Sequence, residues 1–353
     1  MRAKQRASYD ELDYEAKRRY CALGVFETDF GVGAAAAVSG LAEPGQDVRE
    51  WMSILKSEPA SDEDKARQAE ARKRLEARAK ERLDQTRALL EGLCGRSLIA
   101  KVPEDRYRLD GAQRDFARGE LRTADAEEAA YHREAAYLLG YVQQHRQDKN
   151  ALDVEWRNVE GVLEWLEGRE ANKDRRTLMA FVQALAFPGF LDRRGHGQEA
   201  IRWGDAAAGA ASRLGDYAAA AGFSCNVGTI CRNAGDHTEA RKRYEESLRA
   251  YRRLGDDRNT AMLLYNLGAL AHAQGAHDEA RRLCEESLEI KRSLGDQAGI
   301  AAMLHHLGVI AHRQGKRDEA RRRYEESLEI KRKLGDQAGI ATTLGQMERL
   351  AEA

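Results

Sequence analysis

The chain has 353 residues, with 58 lysines and arginines against 59 aspartates and glutamates and a formal net charge of −1. This balance excludes a general electrostatic attraction to nucleic acid or to an anionic membrane surface. Only four prolines occur and Ala, Glu, Arg and Leu are abundant, so the composition predicts a mainly α-helical protein of about two or three modules.

The cysteines and several missing motifs indicate the compartment and the kind of activity. Cys21, Cys94, Cys225, Cys231 and Cys284 show no paired spacing, which indicates free thiols in a reducing compartment. No apolar run has membrane-spanning length and no secretory leader is recognisable, so we expect a cytoplasmic protein without a membrane partner. Because nucleophile motifs and metal-ligand spacings are also missing, we expect neither a cofactor nor an enzymatic activity.

The first 120 residues predict a helical module that ends in a two-stranded wing. Apolar residues recur there at helical spacing, and Pro103-Glu-Asp105 supplies a turn between two short β-rich runs. Three helices followed by such a hairpin predict a winged helix over residues 1–120. The predicted elements are helices at residues 9–23, 34–38 and around 89–93, and strands at 97–101 and 107–109.

Residues 43–83 form an insertion in this module. A charged helix is predicted from Asp62 onward, with Ser61 as its N-cap. Pairs at i,i+4 spacing, such as Glu70 with Arg74, favour a solvated helix, and a basic docking helix is the alternative.

From residue 174 onward the chain repeats itself every 40 residues. Two amphipathic helices in a connecting segment, residues 121–173, lead into this region. The tripeptide Leu-Gly-Asp begins at residues 214, 254, 294 and 334, and self-similarity at this period predicts a stacked helical solenoid. The predicted repeats are 174–216, 217–256, 257–296 and 297–336, with a capping helix at 337–353.

Each repeat predicts a pair of antiparallel helices. Leu264 and Leu267 lie on one face of a first helix, Gly275 ends that helix, and Ala280 resumes the pattern on a second helix. In the first repeat, Pro188 stands where the other repeats have glycine, which predicts a kinked helix.

The repeats resemble the tetratricopeptide repeat (TPR) family. Leu267-Gly268, Ala280 and the aromatic Tyr324 of the next repeat fall at the offsets of that family's motif. The resemblance implies a right-handed superhelix in which the first helix of each pair lines a concave groove that holds a protein or peptide.

Three motifs mark the N-terminal module and the helix after it: Leu90-Glu-Gly-Leu93, Arg106-Tyr107-Arg-Leu109 and Glu155-x-x-Asn158 with Trp165. With these motifs, the region resembles a second family, the winged-helix and linking segments of bacterial NB-ARC-type STAND regulators. This resemblance implies a sensor and interaction module of a signalling or defence system, with an upstream nucleotide-binding domain as a further partner. The sequence contains no Gly-x-x-x-x-Gly-Lys-Ser/Thr loop, so we expect the nucleotide switch to be outside this chain or absent.

The TPR resemblance places six positions of each first helix on the groove. Residues 257–296 and 297–336 are identical at 24 of 40 positions, yet five of the six groove positions differ. This contrast predicts a constant scaffold with an inner surface adapted to a ligand, and faster drift of exposed positions is the alternative. The candidate ligand-binding residues are Asn226, Thr229, Arg232, Tyr265, Asn266, His272, His305, His306, His312 and Arg313.

The chemistry of these candidates suits a peptide. Asn226 and Asn266 each offer a carboxamide for an extended backbone, or else for a hydrogen bond between neighbouring turns of the solenoid. Arg232 and Arg313 suit a carboxylate or a phosphate. The histidines have no Cys or carboxylate partners at ligand spacing, which favours a polar lining over a metal site.

A winged helix also raises the alternative of a DNA-binding transcription regulator with a TPR sensor domain. The predicted recognition helix, residues 86–95, carries few cations, and those of the wing stand beside acidic residues. Such a face neutralises few phosphates, so DNA is not the expected partner. The leading hypothesis is a protein- or peptide-binding sensor module. The cations of the predicted DNA face are Arg87, Lys101, Arg106 and Arg108.

Overall fold

The computed structural model describes residues 3–40, 62–186 and 197–352. The described chain is mostly helical, which confirms the predicted fold class, and it divides into two units, Met1–Phe190 and Leu191–Ala353. The predicted domain boundaries at residues 120 and 173 stay a prediction. The predicted kink at Pro188 and the N-cap at Ser61 lie outside the described residues.

The first unit contains helices and one small sheet. Its elements are α1 (Ala3–Asp10), α2 (Tyr14–Ala22), a 3-10 turn (Leu23–Val25), β1 (Phe30–Gly31), α3 (Val32–Val38), α4 (Asp62–Gly95), β2 (Ala100–Val102), β3 (Arg106–Arg108), α5 (Gly111–Thr123), α6 (Glu127–His145), α7 (Lys149–Leu166) and α8 (Asn172–Ala186).

The predicted single helix over residues 9–23 is wrong, because α1 and α2 are separated by a break. The side chain of Asp13 accepts a hydrogen bond from the backbone N–H of Ala16 at 2.8 Å. An N-capping aspartate starts a new helix at this point, and the apolar spacing alone did not reveal it. The charged helix from Asp62 and the predicted helix around residues 89–93 are one continuous helix, α4.

The sheet has three antiparallel strands in the order β1-β3-β2. The two predicted strands are confirmed within one to three residues at their ends, and β1 joins them by pairing Phe30 with Tyr107. Phe30 stacks on Phe26 with ring centroids 4.4 Å apart. These aromatic rings are fully buried together with Leu90 and Leu93 of α4, so the sheet covers the core of this unit.

A buried polar network fixes α7 to the sheet. Arg106 of β3 donates to Asp29 at 2.5 Å and to Glu155 of α7 at 2.6 Å. Asn158, one turn further along α7, accepts the backbone N–H groups of Glu27 and Thr28 and donates to the carbonyl of Asp29 at 2.9 Å. Glu155 and Asn158, which belong to one of the sequence motifs described above, are therefore the side chains that hold α7 to the sheet.

The second unit is a stack of helix pairs. Its elements are α9 (Gly197–Arg213), α10 (Tyr217–Asn233), α11 (His237–Leu254), α12 (Asp257–Ala273), α13 (His277–Ser293), α14 (Gln297–Arg313), α15 (Arg317–Leu334) and α16 (Gln337–Glu352). Each helix packs on the next one in sequence. We call α10, α12 and α14 the first helices and α11, α13 and α15 the second helices.

The Leu-Gly-Asp tripeptide is the joint between two pairs. Gly295 has a φ of 68°, a left-handed conformation that ends the preceding helix at low steric cost. Asp296 then caps α14 by accepting the backbone N–H of Gly299 at 2.9 Å. Because one residue stops a helix and the next starts another, the tripeptide recurs with the repeat.

Two contacts tie each second helix to its own first helix. Ser287 and Ser327 are buried and donate to the carbonyls of Ala261 and Ala301 at 2.7 and 2.8 Å. At Gly308, an added Cβ would lie 2.6 Å from the ring of Tyr324, so the helices touch there. The glycine of the Leu-Gly pair is therefore required by the close approach of the two helices.

Candidate ligand-binding face

All ten candidate residues lie on helices of the second unit, outside its fully buried core. Asn226 and Arg313 are exposed, and the remaining eight are half-buried. Tyr265 contacts His306 and Asn266 approaches Cys225, so neighbouring first helices meet along this side, which we call the first-helix face. The half-buried candidates are Thr229, Arg232, Tyr265, Asn266, His272, His305, His306 and His312.

The structure brings Tyr265 and His306 together. The Tyr265 hydroxyl and His306 Nε2 are 2.7 Å apart, and the two ring centroids are 4.7 Å apart. His305, beside His306 in sequence, places Nδ1 3.0 Å from Oγ1 of Thr343 on α16. These contacts link three consecutive turns of the solenoid at its C-terminal end.

Other candidates serve the scaffold or make weak contacts. Thr229 donates to the carbonyl of Cys225 at 3.1 Å and contacts the hydroxyl of Tyr244 at 3.0 Å, so its hydroxyl is engaged within its own repeat. Asn266 reaches Sγ of Cys225 only at 4.0 Å. In the described part of the chain, Asn226 and Arg313 have no hydrogen-bond or ion-pair partner, so these two side chains offer free polar groups.

The paired histidines are uncharged at neutral pH. Burial lowers the pKa of His306 to about 4, and repulsion from Lys331 and from His305 and His272 in their protonated forms lowers it as well. Burial and Lys331 likewise lower the pKa of His305 to about 4. At His272, burial, the neighbouring His277 and Arg313 lower the pKa as well. The first-helix face thus holds neutral imidazoles in a positive environment.

This depressed pKa predicts that the unfolding free energy falls in acid. An unfolded chain binds a proton at His306 near pH 6.5, whereas the folded chain binds it only near pH 4. The unfolded state therefore binds more protons in this window, and His306 costs about 1 to 2 kcal/mol of stability at pH 5. Urea unfolding at pH 7 and pH 5 measures the loss. The variant His306→Asn carries the residue that stands at this position in the preceding repeat. Its unfolding free energy should fall by about 1 to 2 kcal/mol less between pH 7 and pH 5 than that of the wild type. An equal fall in the two proteins contradicts the prediction.

A cluster of possible metal ligands lies in the first unit, among Glu128, His132 and Asp174. Asp174 is fully buried, and its two oxygens already accept from His132 Nε2 at 2.6 Å and Arg169 Nε at 2.7 Å. Arg169 also pairs with Glu128 at 2.6 Å. Although burial raises the pKa of Asp174, the bonds from Arg169 and His132 outweigh it, and the pKa lies below its usual value. The cluster is a salt-bridge network around a guanidinium.

The cations of the predicted DNA face are largely engaged inside the first unit. Arg106 is buried in the network with Asp29 and Glu155. Arg87 and Lys101 both pair with Asp105, at 3.2 and 2.8 Å. Asp105 offsets one of these two positive charges, so little net charge is left for a phosphate backbone.

Sequence reasoning missed Lys331 and Thr343. Thr343 is fully buried and accepts a hydrogen bond from Lys331 Nζ at 2.8 Å, and it also contacts His305. A signal was present, because residues 334–341 repeat residues 294–301 without change while Met303 is replaced by Thr343. A polar residue at a core position of a repeat marks a local contact that the other repeats lack.

The stacked helix pairs and their polar first-helix face define a helical-repeat architecture. Residues 216–293 and 299–353 match the family model described as "Tetratricopeptide repeat". The second unit is therefore a TPR-like α-solenoid. Among curated proteins, no sequence matches the chain. None of the described helices combines the length and the apolar composition needed to cross a membrane.

Several solved structures are similar to this chain at low sequence identity. Aspartyl phosphate phosphatase F from Bacillus subtilis is 11% identical, with 99% of this chain and 78% of that chain covered and a TM-score of 0.51. BtubC (BKLC) from P. vanneervenii is 20% identical over 64% of this chain and 92% of that chain, with a TM-score of 0.49. A STAND protein with a tetratricopeptide repeat sensor, from Pyrococcus horikoshii, is 12% identical over 98% of this chain, with a TM-score of 0.45. The chain spans 56% of that protein.

Proposed function

We propose that the protein is a sensor and interaction module that binds a peptide or protein segment on the first-helix face. Its role is recognition, not catalysis. The observation that carries the proposal is the contrast between two repeats that share 24 of 40 residues but differ at five of six groove positions. The structure supports it, because the varied positions are at least partly accessible while the shared apolar positions are buried.

The proposal extends to the first unit. We infer that its three-stranded sheet with α2, α3 and α4 is a winged helix, and that the whole chain serves a STAND-like signalling or defence regulator with an upstream nucleotide-binding domain as a partner. The order of the elements supports this inference, because β1 precedes α3 and the hairpin β2-β3 follows α4. Because α7 is firmly held on the sheet, it is suited to transmit a movement from the nucleotide-binding domain to the repeats.

The alternative of a DNA-binding regulator receives less support. Its wing would have to contact phosphates with Arg87, Lys101 and Arg106, which the unit engages in internal pairs. Only Arg108 of the predicted face is exposed without a partner among the described residues. One free cation contributes little affinity for a duplex.

A capture experiment on the full chain tests the proposed function. A photoreactive amino acid at Met262, an exposed position of the first-helix face, is expected to crosslink a partner from cell extract. The same amino acid at Leu254, which is exposed at the end of a second helix, is the matched control and should not capture it. Capture at both positions, or at neither, contradicts the proposal.

A pair of double variants makes the test quantitative. Asn226→Ala with Arg313→Ala removes the two free polar groups of the first-helix face and should weaken binding of the captured partner about tenfold or more. Arg292→Ala with Arg322→Ala changes two exposed residues of the second helices and should leave binding unchanged. These positions are preferable to Tyr265, whose contact with His306 also supports the scaffold. Equal affinities of the two double variants would contradict a ligand on the first-helix face.

A further inference from the structure

The exposed large apolar residues of the second unit concentrate at the Leu-Gly-Asp joints. Four of the six such residues within residues 197–352 lie there. Leu254, Leu294 and Leu334 are the leucines of three joints and are 48%, 47% and 49% exposed. Tyr217, directly after the first joint, is 61% exposed. Glycine and aspartate form each turn, so the turn itself does not require an exposed leucine.

The joints lie along one edge of the solenoid. The second helices α11, α13 and α15 are successive copies of one element, so their C-terminal ends point in the same direction. A joint follows each of these ends, and the first joint follows α9 in the same way. We call this row the joint edge and define it as the seven residues centred on each joint leucine. The four segments are 211–217, 251–257, 291–297 and 331–337.

The joint edge is positively charged, although the chain as a whole has a formal net charge of −1. Its four segments contain eight lysines and arginines against five aspartates. Four of these aspartates cap the helix that follows, as Asp256 and Asp296 do by accepting the backbone N–H groups of Asn259 and Gly299. In each segment one exposed arginine has no partner for its guanidinium among the residues that the structure describes. These joint arginines are Arg213, Arg253, Arg292 and Arg332.

The arrangement of these side chains decides what can cover the joint edge. Each exposed joint leucine stands singly, with a glycine after it and a cation within two positions before it. A protein–protein interface needs a contiguous core from which water is excluded and in which charges are few. A lipid bilayer is fluid and surrounds single apolar side chains, while arginine and tyrosine place their polar ends among the headgroups. Isolated leucines between arginines therefore favour a lipid surface over a protein as the occupant.

We propose that the joint edge docks on the surface of a membrane that contains anionic lipids. The joint leucines enter the outer part of the apolar layer, and the joint arginines bind the phosphates of the headgroups. The net charge alone predicts no membrane partner, but it does not report cations that the repeat places on one edge. The joint edge contains none of the ten candidate ligand-binding residues, so the inference does not depend on the proposed function.

Co-sedimentation of the full chain with lipid vesicles tests the proposal. Vesicles of equal parts phosphatidylcholine and phosphatidylglycerol should bind the protein at least about tenfold more tightly than vesicles of phosphatidylcholine alone. A triple variant, Arg253→Gln with Arg292→Gln and Arg332→Gln, should remove most of this difference. The matched control changes three exposed cations that share one position near the start of the second helices, and it should keep the difference. It combines Lys242→Gln, Arg282→Gln and Arg322→Gln.

A fluorescence measurement tests the leucines without a loss of apolar surface. Leu294→Trp places a reporter on the joint edge, and vesicles that contain brominated phosphatidylglycerol should quench its emission. Leu344→Trp, at an exposed leucine outside the joint edge, is the control and should stay unquenched. The four native tryptophans are common to both variants, so the difference from the wild-type emission isolates each reporter.

Several results would overturn the inference. Binding that does not depend on phosphatidylglycerol, or equal binding by the arginine variant and its control, would do so. Equal quenching at residues 294 and 344 would contradict the insertion of the joint leucines. Complete release from the vesicles by soluble polyglutamate, at an ionic strength at which chloride releases nothing, would assign the joint edge to an acidic protein segment and overturn the inference as well.

Discussion

Arg106→Ala is expected to destabilise the first unit by about 3 to 5 kcal/mol. The guanidinium contacts Asp29 and the carboxylate of Glu155, and Glu155 is 2% exposed. Without Arg106, that carboxylate keeps only the 2.8 Å hydrogen bond from Asn158 and remains a buried charge without a counter-ion. Urea unfolding followed by circular dichroism measures the loss, and hydrogen exchange should show faster exchange in α7 and in the sheet than in α12–α15.

Arg108→Ala is the matched control for this variant. Arg108 is two residues further along the same strand, but it is exposed, so its removal should change the unfolding free energy by less than about 0.5 kcal/mol. Arg106→Met combined with Glu155→Leu should recover part of the loss, because the buried carboxylate is removed together with its partner and only the partly exposed Asp29 is left unpaired. If Arg106→Ala unfolded at the wild-type urea concentration, the network would not be what holds α7 to the sheet.

The repeat architecture was predictable because its signals are local and recur. Gly295 and Asp296 show the principle, since one residue adopts a left-handed conformation and the next caps a helix, and each needs a specific residue type. In the first unit the apolar spacing suggested one helix over residues 9–23, while a single cap at Asp13 divided it. A local hydrogen bond of this kind competes with periodicity, and the apolar pattern does not report it.

The candidate face was predictable only in part. The positions of Tyr265 and His306 follow from the repeat spacing, but their mutual contact joins residues 41 apart and depends on how successive pairs stack. The contact of Lys331 is not predictable from the repeat spacing either. Lys331 contacts Thr343 and not an aspartate because of the way the last helix packs. For Arg106 the prediction from sequence fails in the opposite direction. The sequence predicts an exposed cation on a wing, but in the structure α7, almost 50 residues later in the chain, covers its guanidinium.

Gly308→Leu is expected to lower the unfolding free energy of the second unit by about 3 kcal/mol. An added Cβ at Gly308 would lie 2.6 Å from the ring of Tyr324, which is fully buried. Larger side chains must then separate α14 from α15, and such overpacking typically costs about 1 to 3 kcal/mol. Chemical denaturation of the full chain followed by circular dichroism measures the loss, and faster hydrogen exchange in α14 and α15 than in the first unit assigns it to the second unit.

Gly345→Leu is expected to change the stability in the opposite direction. Gly345 lies on α16, and an added Cβ there meets no atom within 4 Å. Leucine should therefore be tolerated and should stabilise the helix by about 0.5 to 1 kcal/mol, since glycine is a poor helix former. The last helix already contains a natural version of the Gly308 experiment, because Glu348 stands 40 residues after Gly308. A glutamate at this position of α16 is compatible only with the absence of a second helix packed as closely as α15 is packed against α14. A Gly308→Leu variant as stable as the wild type would contradict the close contact between α14 and α15.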